Sequence, residues 1–440
     1  MLAGFAPLGR QLLSFARRPH IATILANATL LVSERVVRLL VSFVVMGFVA
    51  RSLGVTNFGL LSYALSFVAL ATPIATLGLE AVTVRELIKR PDDTARIVST
   101  VVVMRFLAAT VSMLVVYSLA RIFDPHGSVV AHLAMAASSI LAFQSLEGMD
   151  YLFLARQRTR LLTVARIVGS LAASVVKIGL VHLDADLIYF ALAHGIEALF
   201  IGACVSVAFK RNFGEPIRMQ FDRIEAGRLL NDSWPLIASG LLVIVFMRLD
   251  QMMLAHLGTI EDVGRYAAAV RVVELWVFLP SIVLRAIYPH LVAVSGDAVR
   301  FEAIMRRVFH AALWASVALI VLNMFLVRWV VPSLYGPEYS QSVPIASVLL
   351  FCLLFMVSGE VRAQVLFILN LKKYHFPSAL LGIVVLVALN LWLIPLYGGV
   401  GAALATLAGY AASAVGSSFL FAPTRWIGRL QIAAFSPKLP

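Results

Sequence analysis

Twelve uninterrupted apolar runs take up most of this chain, and they constrain it more than any motif does. They fall at 30–50, 59–79, 97–120, 128–148, 161–182 and 186–209, then at 234–257, 266–292, 308–331, 343–369, 374–396 and 399–422. A helix of about 20 apolar residues crosses the roughly 30 Å hydrocarbon core of a bilayer. Backbone N–H and C=O groups find no water there, so only helices or closed barrels can span it. A barrel needs short segments of alternating polarity, and these runs do not alternate. The fold expected is an all-α integral membrane protein with 12 transmembrane helices. The 440 residues are then nearly used up, leaving no room for a soluble catalytic domain of ordinary size. A composition of 61% hydrophobic and 13% charged residues agrees, soluble domains being nearer 45–50% and 25%.

Lysine and arginine set the orientation. One set of alternate loops and both tails carry Arg10, Arg17 and Arg18; Arg85, Lys89, Arg90 and Arg96; Arg156, Arg158 and Arg160; Lys210, Arg211, Arg218, Arg223 and Arg228. The same side continues with Arg300, Arg306, Arg307, Lys372, Lys373, Arg425, Arg429 and Lys438. The opposite loops carry only Arg51, Arg121, Arg265 and Arg328, all at run edges. Basic loops stay in the cytoplasm, so both termini are expected there. The alternation also supports the count, because one missed span would scramble it. A net charge of +13 spread in this way is membrane topology and excludes nucleic acid as a partner. Residues 1–29 read as an interfacial cytoplasmic lead-in rather than a cleaved signal. Residues 30–209 and 229–422 are two six-helix halves, 210–228 is a cytoplasmic linker and 423–440 a cytoplasmic tail.

A repeat supports that division. Leu53-Gly54 and Phe58-Gly59 open the second span; Leu257-Gly258 and Val263-Gly264 open the eighth, an offset near 205. Pro73 follows Gly59 and Pro280 follows Gly264 at similar distances, and spans one and seven each contain arginine, Arg35 and Arg248. Halves of six spans share one orientation, so their symmetry axis runs along the membrane normal.

Sixteen charges lie inside the runs: Arg35, Arg38, Arg105, Arg166, Lys177, Arg248, Arg271, Arg285 and Arg362, with Glu34, Glu80, Glu147, Glu197, Asp250, Glu274 and Glu360. Each would cost about 2.5–3.5 kcal/mol or more facing lipid at mid-bilayer, so most must face a watery cavity or one another. Arg166, Glu80 and Glu147 sit near cytoplasmic ends, where long side chains reach the interface or pair. Glu34 and Arg38 are spaced for a helix-face ion pair, and Arg105 and Glu197 fit structural pairing as well as function. The cavity candidates are Arg35 and Arg38 in span one, Arg248 and Asp250 in span seven, Arg271, Glu274 and Arg285 on one stripe of span eight, and Glu360 and Arg362 in span ten. Basic residues exceed acidic ones by two across all sixteen in-span charges, which points to a cationic lining. Pro73 and Pro280 interrupt backbone bonding at membrane depth and are hinge candidates.

Catalytic signatures are lacking. There is no GxxxxGK[ST], HExxH or GxSxG, so ATP hydrolysis by a phosphate loop and the common hydrolase chemistries are not expected. Asp184-Ala185-Asp186 occupies a tiny outer turn, and His194, His256 and His290 are scattered. Cys204 and Cys352 lie in apolar runs and offer neither a disulfide framework nor a metal site. No cofactor is implied.

The sequence resembles the Wzx-type flippases of the multidrug/oligosaccharidyl-lipid/polysaccharide exporter superfamily. The resemblance rests on Arg51-Ser-Leu-Gly-Val-Thr-Asn-Phe-Gly59 with Ser62-Tyr63-Ala64, Ser233-Trp-Pro-Leu236, Arg248-Leu-Asp250, Val263-Gly-Arg-Tyr-Ala-Ala268 with Arg271, Gly359-Glu-Val-Arg362 and Gly398-Gly-Val-Gly-Ala-Ala403. It implies two MATE-like six-helix bundles around a central cavity that opens to one side at a time. It implies export of an undecaprenyl-diphosphate-linked oligosaccharide across a bacterial inner membrane, with H⁺ or Na⁺ as coupling ion and other polysaccharide-assembly proteins as candidate partners. Arg248, Asp250 and Arg271 match the motif positions best. Arginine suits the task, since its guanidinium makes paired, charge-assisted bonds to phosphate oxygens. Asp250, Glu274 and Glu360 would then tune or release the head group. The competing readings are a cation-coupled multidrug exporter of the same fold, which the many in-span arginines fit poorly, and a glycan polymerase or ligase, which needs a larger outer loop.

Overall fold

The computed structural model describes residues 19–124, 128–213 and 220–436. The side chains of 19–29, 31, 278–283, 285, 286 and 289 are not described, so those of Pro280 and Arg285, like residues 1–18 of the lead-in, lie outside the described residues. The first half contains α1 (Pro19–Thr76), α2 (Leu79–Lys89), α3 (Thr94–Phe123), α4 (Ser128–Gln144), α5 (Asp150–Ala155), α6 (Thr159–His182) and α7 (Leu187–Phe213). The second contains α8 (Arg223–Leu257), α9 (Ile260–Val294), α10 (Ala298–Tyr335), α11 (Ser342–Leu350), α12 (Cys352–Ile368), α13 (His375–Ala411), α14 (Ser417–Leu420) and α15 (Arg425–Ala433). A five-residue π-helix, Ala412–Gly416, joins α13 to α14.

Nine helical units among the described residues are long and apolar enough to cross a membrane. Two of them cross twice. In α1 the backbone leaves the helical region at Gly54 (φ 71, ψ 171), a conformation open to glycine at little cost. Phe43 and Phe58 would be about 22 Å apart along a straight helix, yet both pack on Tyr335, with ring centroids 6.0 and 6.4 Å away. The chain therefore doubles back at Gly54. In α13 the same device stands at Gly398 (φ 52, ψ −130), and a Cβ on Gly401 would lie 2.1 Å from the carbonyl oxygen of Leu393. The 35-residue α9 is long enough to cross as well. Twelve crossings follow, and the helix count agrees with the apolar runs.

The sequence predicts only a basic loop after span two. It holds α2 instead, which buries Leu79, Val82, Thr83 and Leu87, a spacing that makes one helix face. The front of α8 crosses to this side: Ala226 and Leu229 share a cluster with Leu79, Leu87, Ile97 and Leu162 of the first half. Its N-cap is Asp222, whose carboxylate accepts from the N–H groups of Ile224 and Glu225. Arg90 to Glu225, Arg96 to Asp222 and Arg85 to Asp232 add ion pairs between loop and helix.

On the opposite face the two halves meet through the repeated glycines. A Cβ on Gly59 would lie 2.2 Å from the carbonyl oxygen of Ile260, and a Cβ on Gly264 2.2 Å from that of Val55. The contact is reciprocal, each glycine touching the residue four before the other, as at a two-fold axis. Beside it Thr56 donates to Glu261 (2.9 Å), Tyr339 donates to the carbonyl of Ala50 (3.0 Å), and Ser66 donates to Gln251 (2.8 Å). This face is closed by backbone packing that only glycine permits.

Candidate functional site

A cavity of about 880 Å³ lies in the basic-face portion of the first half, within the 300–1,000 Å³ range of small-molecule sites. Its described lining includes Glu34, Arg35, Arg38 and Ser42 of α1, Glu80 of α2, Arg105 of α3, Glu147, Asp150 and Tyr151 around α5, Arg166 and Ser170 of α6, Glu197 of α7 and Leu236 of α8. Among the described residues the wall comes from the first half, apart from Leu236 of the second.

Three of the four lining arginines are held by carboxylates. Arg166 binds Asp150, which is 1% exposed. Arg105, 3% exposed, lies 3.8 Å from Glu147 and donates to the Tyr151 hydroxyl at 3.0 Å. Arg38 Nε is 2.8 Å from Glu34 Oε1. Those two atoms are badly aligned for a hydrogen bond, so charge alone holds the pair and the guanidinium keeps donors to offer. Glu197 is held by Lys177 from behind the cavity wall and also accepts from Ser170. Arg35 is exposed into the cavity and makes no ion pair among the described residues. The described lining thus balances, four arginines against five carboxylates with Lys177 behind, so that among the described residues the expected cationic lining is corrected to a neutral one. Pairing explains why: leaving one partner of a buried pair alone costs about 3–5 kcal/mol, so buried charges come with opposite ones beside them.

The expected site residues are distributed as follows. Arg35 and Arg38 share the large cavity. Arg248, Arg271 and Glu274 come together in a second space of about 50 Å³ between the halves, with Ser62, Ser66 and Gln251, and Arg248 pairs with Glu274 at 3.3 Å. Asp250 faces neither space. It is buried in the second half, accepting from Tyr266, from Thr406 at 3.2 Å and from the N–H of Gln251 at 2.8 Å. Arg362 is also buried, donating to Ser378 at 2.8 Å, and Glu360 is half-buried on the same helix. Pro73 lies in regular helix, against Gly240 of α8; the break in that helix is at Gly54.

Glu80, Arg105, Glu147, Asp150, Arg166 and Glu197 line the cavity although the sequence reading did not single them out for it. A signal was present: Arg166, Ser170 and Lys177, like Glu34, Arg38 and Ser42, recur at helical spacing as polar stripes in apolar helices.

Among solved structures the fold is similar to that of the lipid II flippase MurJ in an inward closed conformation, with a TM-score of 0.66, 13% identity, and 89% of this chain and 90% of that one covered. It is similar to a MATE-family multidrug resistance transporter of the MOP superfamily in its inward-facing conformation, with a TM-score of 0.71, 14% identity and coverage of 90% and 96%. For a MATE-family transporter in an outward-facing conformation the score is 0.56 at the same identity and coverage. At such identities the likeness shows the fold. No curated protein sequence matches this chain significantly. The family model described as "polysaccharide biosynthesis protein" matches residues 24–295, more than half of the chain, and the protein belongs to that family.

Proposed function

We propose that this protein is a flippase that carries an undecaprenyl-diphosphate-linked oligosaccharide from the cytoplasmic to the outer leaflet of a bacterial inner membrane, supplying a surface polysaccharide such as O-antigen or exopolysaccharide. The observation that carries this reading is the charged cavity on the basic face, where Arg35 makes no ion pair among the described residues, beneath an opposite face sealed at Gly59 and Gly264. The basic face is the cytoplasmic one by the distribution of lysine and arginine. A diphosphate and its sugars cannot cross hydrocarbon unaided, whereas a polyprenyl tail is at home in it. A cavity that takes up only the polar head, and then opens to the other side, performs the crossing.

Arg35 is the first contact for the diphosphate, and Arg38 turns to it from Glu34. Arg248 and Arg271, now in the small space between the halves, become accessible when the outer contact parts and receive the head group on its way out. Family membership and a fold shared with a lipid II flippase support the reading. The fold is shared with multidrug transporters too, but nine charged side chains in one cavity suit a polar head group better than an apolar drug. Vesicles containing the purified protein and a fluorescent polyprenyl-diphosphate saccharide test this: the label should become accessible on the far leaflet, and absence of flipping with an intact protein would refute it.

Asp250 is the group we assign to the coupling ion. It is buried and wrapped by Tyr266 and Thr406, and it can take up a proton or a sodium ion without meeting the lipid substrate. Asp250→Asn keeps the acceptor oxygen and removes the charge. The expected result is flipping that still runs down the substrate gradient but no longer responds to an imposed proton or sodium gradient, whereas the unaltered protein responds several-fold to one of them.

A further inference from the structure

We infer that the glycan carried on this lipid is uncharged, not an acidic one. The inference rests on the flippase reading and follows from the charge inventory of the cavity. Among the described residues five carboxylates line it, Glu34, Glu80, Glu147, Asp150 and Glu197, against four arginines. Glu34, Glu147 and Asp150 already hold three of those arginines, and Glu197 holds Lys177. Arg35 and Glu80 are the two lining charges without an ion pair among the described residues.

A diphosphate brings about two negative charges into this balanced space. Arg35 can neutralise one. Each further arginine that turns to a phosphate oxygen leaves its carboxylate without a cation. Among the described residues the occupied cavity therefore has no positive charge left for a uronic acid, and such a group would stand among uncompensated carboxylates of like charge, which repel it. Sugar hydroxyls have the opposite relation to the same groups: an ionised carboxylate accepts hydrogen bonds and cannot donate them, and each hydroxyl supplies a donor. Glu80, together with the carboxylates that release their arginines, thus forms a row of acceptors suited to a neutral glycan.

The test compares two synthetic polyprenyl-diphosphate trisaccharides in vesicles containing the full-length protein. They differ only in one hexose, which in the second is the corresponding uronic acid. The neutral compound should flip at least tenfold faster, the methyl ester of the uronic acid should regain most of that rate, and Glu80→Gln should narrow the difference several-fold. Equal or faster flipping of the uronic acid compound would overturn the inference while leaving the flippase reading standing. Failure of both compounds to move would overturn that reading and the inference with it.

Discussion

Replacing Gly59 by alanine should hold the protein away from the state described here and reduce export about tenfold or more. The added Cβ would sit 2.2 Å from the carbonyl oxygen of Ile260 and 3.2 Å from the backbone nitrogen of Gly264. Both obstacles are main chain, so no rotamer change relieves the clash and the two helices must separate. Overpacking of this kind costs about 1–3 kcal/mol, enough to move a two-state equilibrium about 5- to 150-fold. Since the contact exists only while the outer face is closed, that cost falls on one state alone. Gly264→Ala should act alike, through Val55. A cysteine introduced at Ser66, beneath the contact and buried, should react several-fold faster with an impermeant maleimide from the outside in either variant. Unchanged labelling together with unchanged export would show that the two halves do not part there.

Arg35→Ala should lower flipping by about 10- to 100-fold, the value of a hydrogen bond to a charged group being about 1.5–3 kcal/mol. Arg35→Lys should recover part of the loss, because lysine keeps the charge but not the flat pair of donors that matches a phosphate. Folding should hardly change, since Arg35 is exposed and makes no ion pair among the described residues. Arg166→Ala gives the informative contrast. It strands Asp150, 1% exposed, without its cation, and breaking a buried pair costs about 3–5 kcal/mol. Thermal unfolding in detergent should separate the two cases: Arg166→Ala melts well below the unaltered protein, and Arg35→Ala melts with it.

The crossings were legible in the sequence because a bilayer demands unbroken apolar length, and length can be read without knowing any neighbour. The repeat was legible for a related reason. Gly59 and Gly264 recur because each lets the other's helix approach closely, although nothing in the spacing revealed that they touch each other. The site was read less well. Helical register tells which residues share a face but not what that face meets. Asp250 and Arg362 sit as deep in their apolar runs as Arg35 does, yet their charges are satisfied by Tyr266, Thr406 and Ser378 on other helices, partners up to 156 residues away. Conversely, no partner for Arg105 or Glu197 could be read from helical spacing, because Glu147, Tyr151 and Lys177 approach them from other elements. The charge balance of the cavity could be counted only once its walls were known.

Alternating access is the central claim, and the bond from Thr56 to Glu261 across the closed face, 2.9 Å long, offers the most direct way to test it. Cysteines at both positions, in a background lacking Cys204 and Cys352, can be joined by oxidation or by a short bifunctional thiol reagent. Flipping of the polyprenyl-diphosphate saccharide in vesicles is then measured before joining, after joining, and after reduction of the disulfide. Flipping should stop when the two residues are joined and return when they are released. Flipping at an undiminished rate through the joined protein would contradict the account.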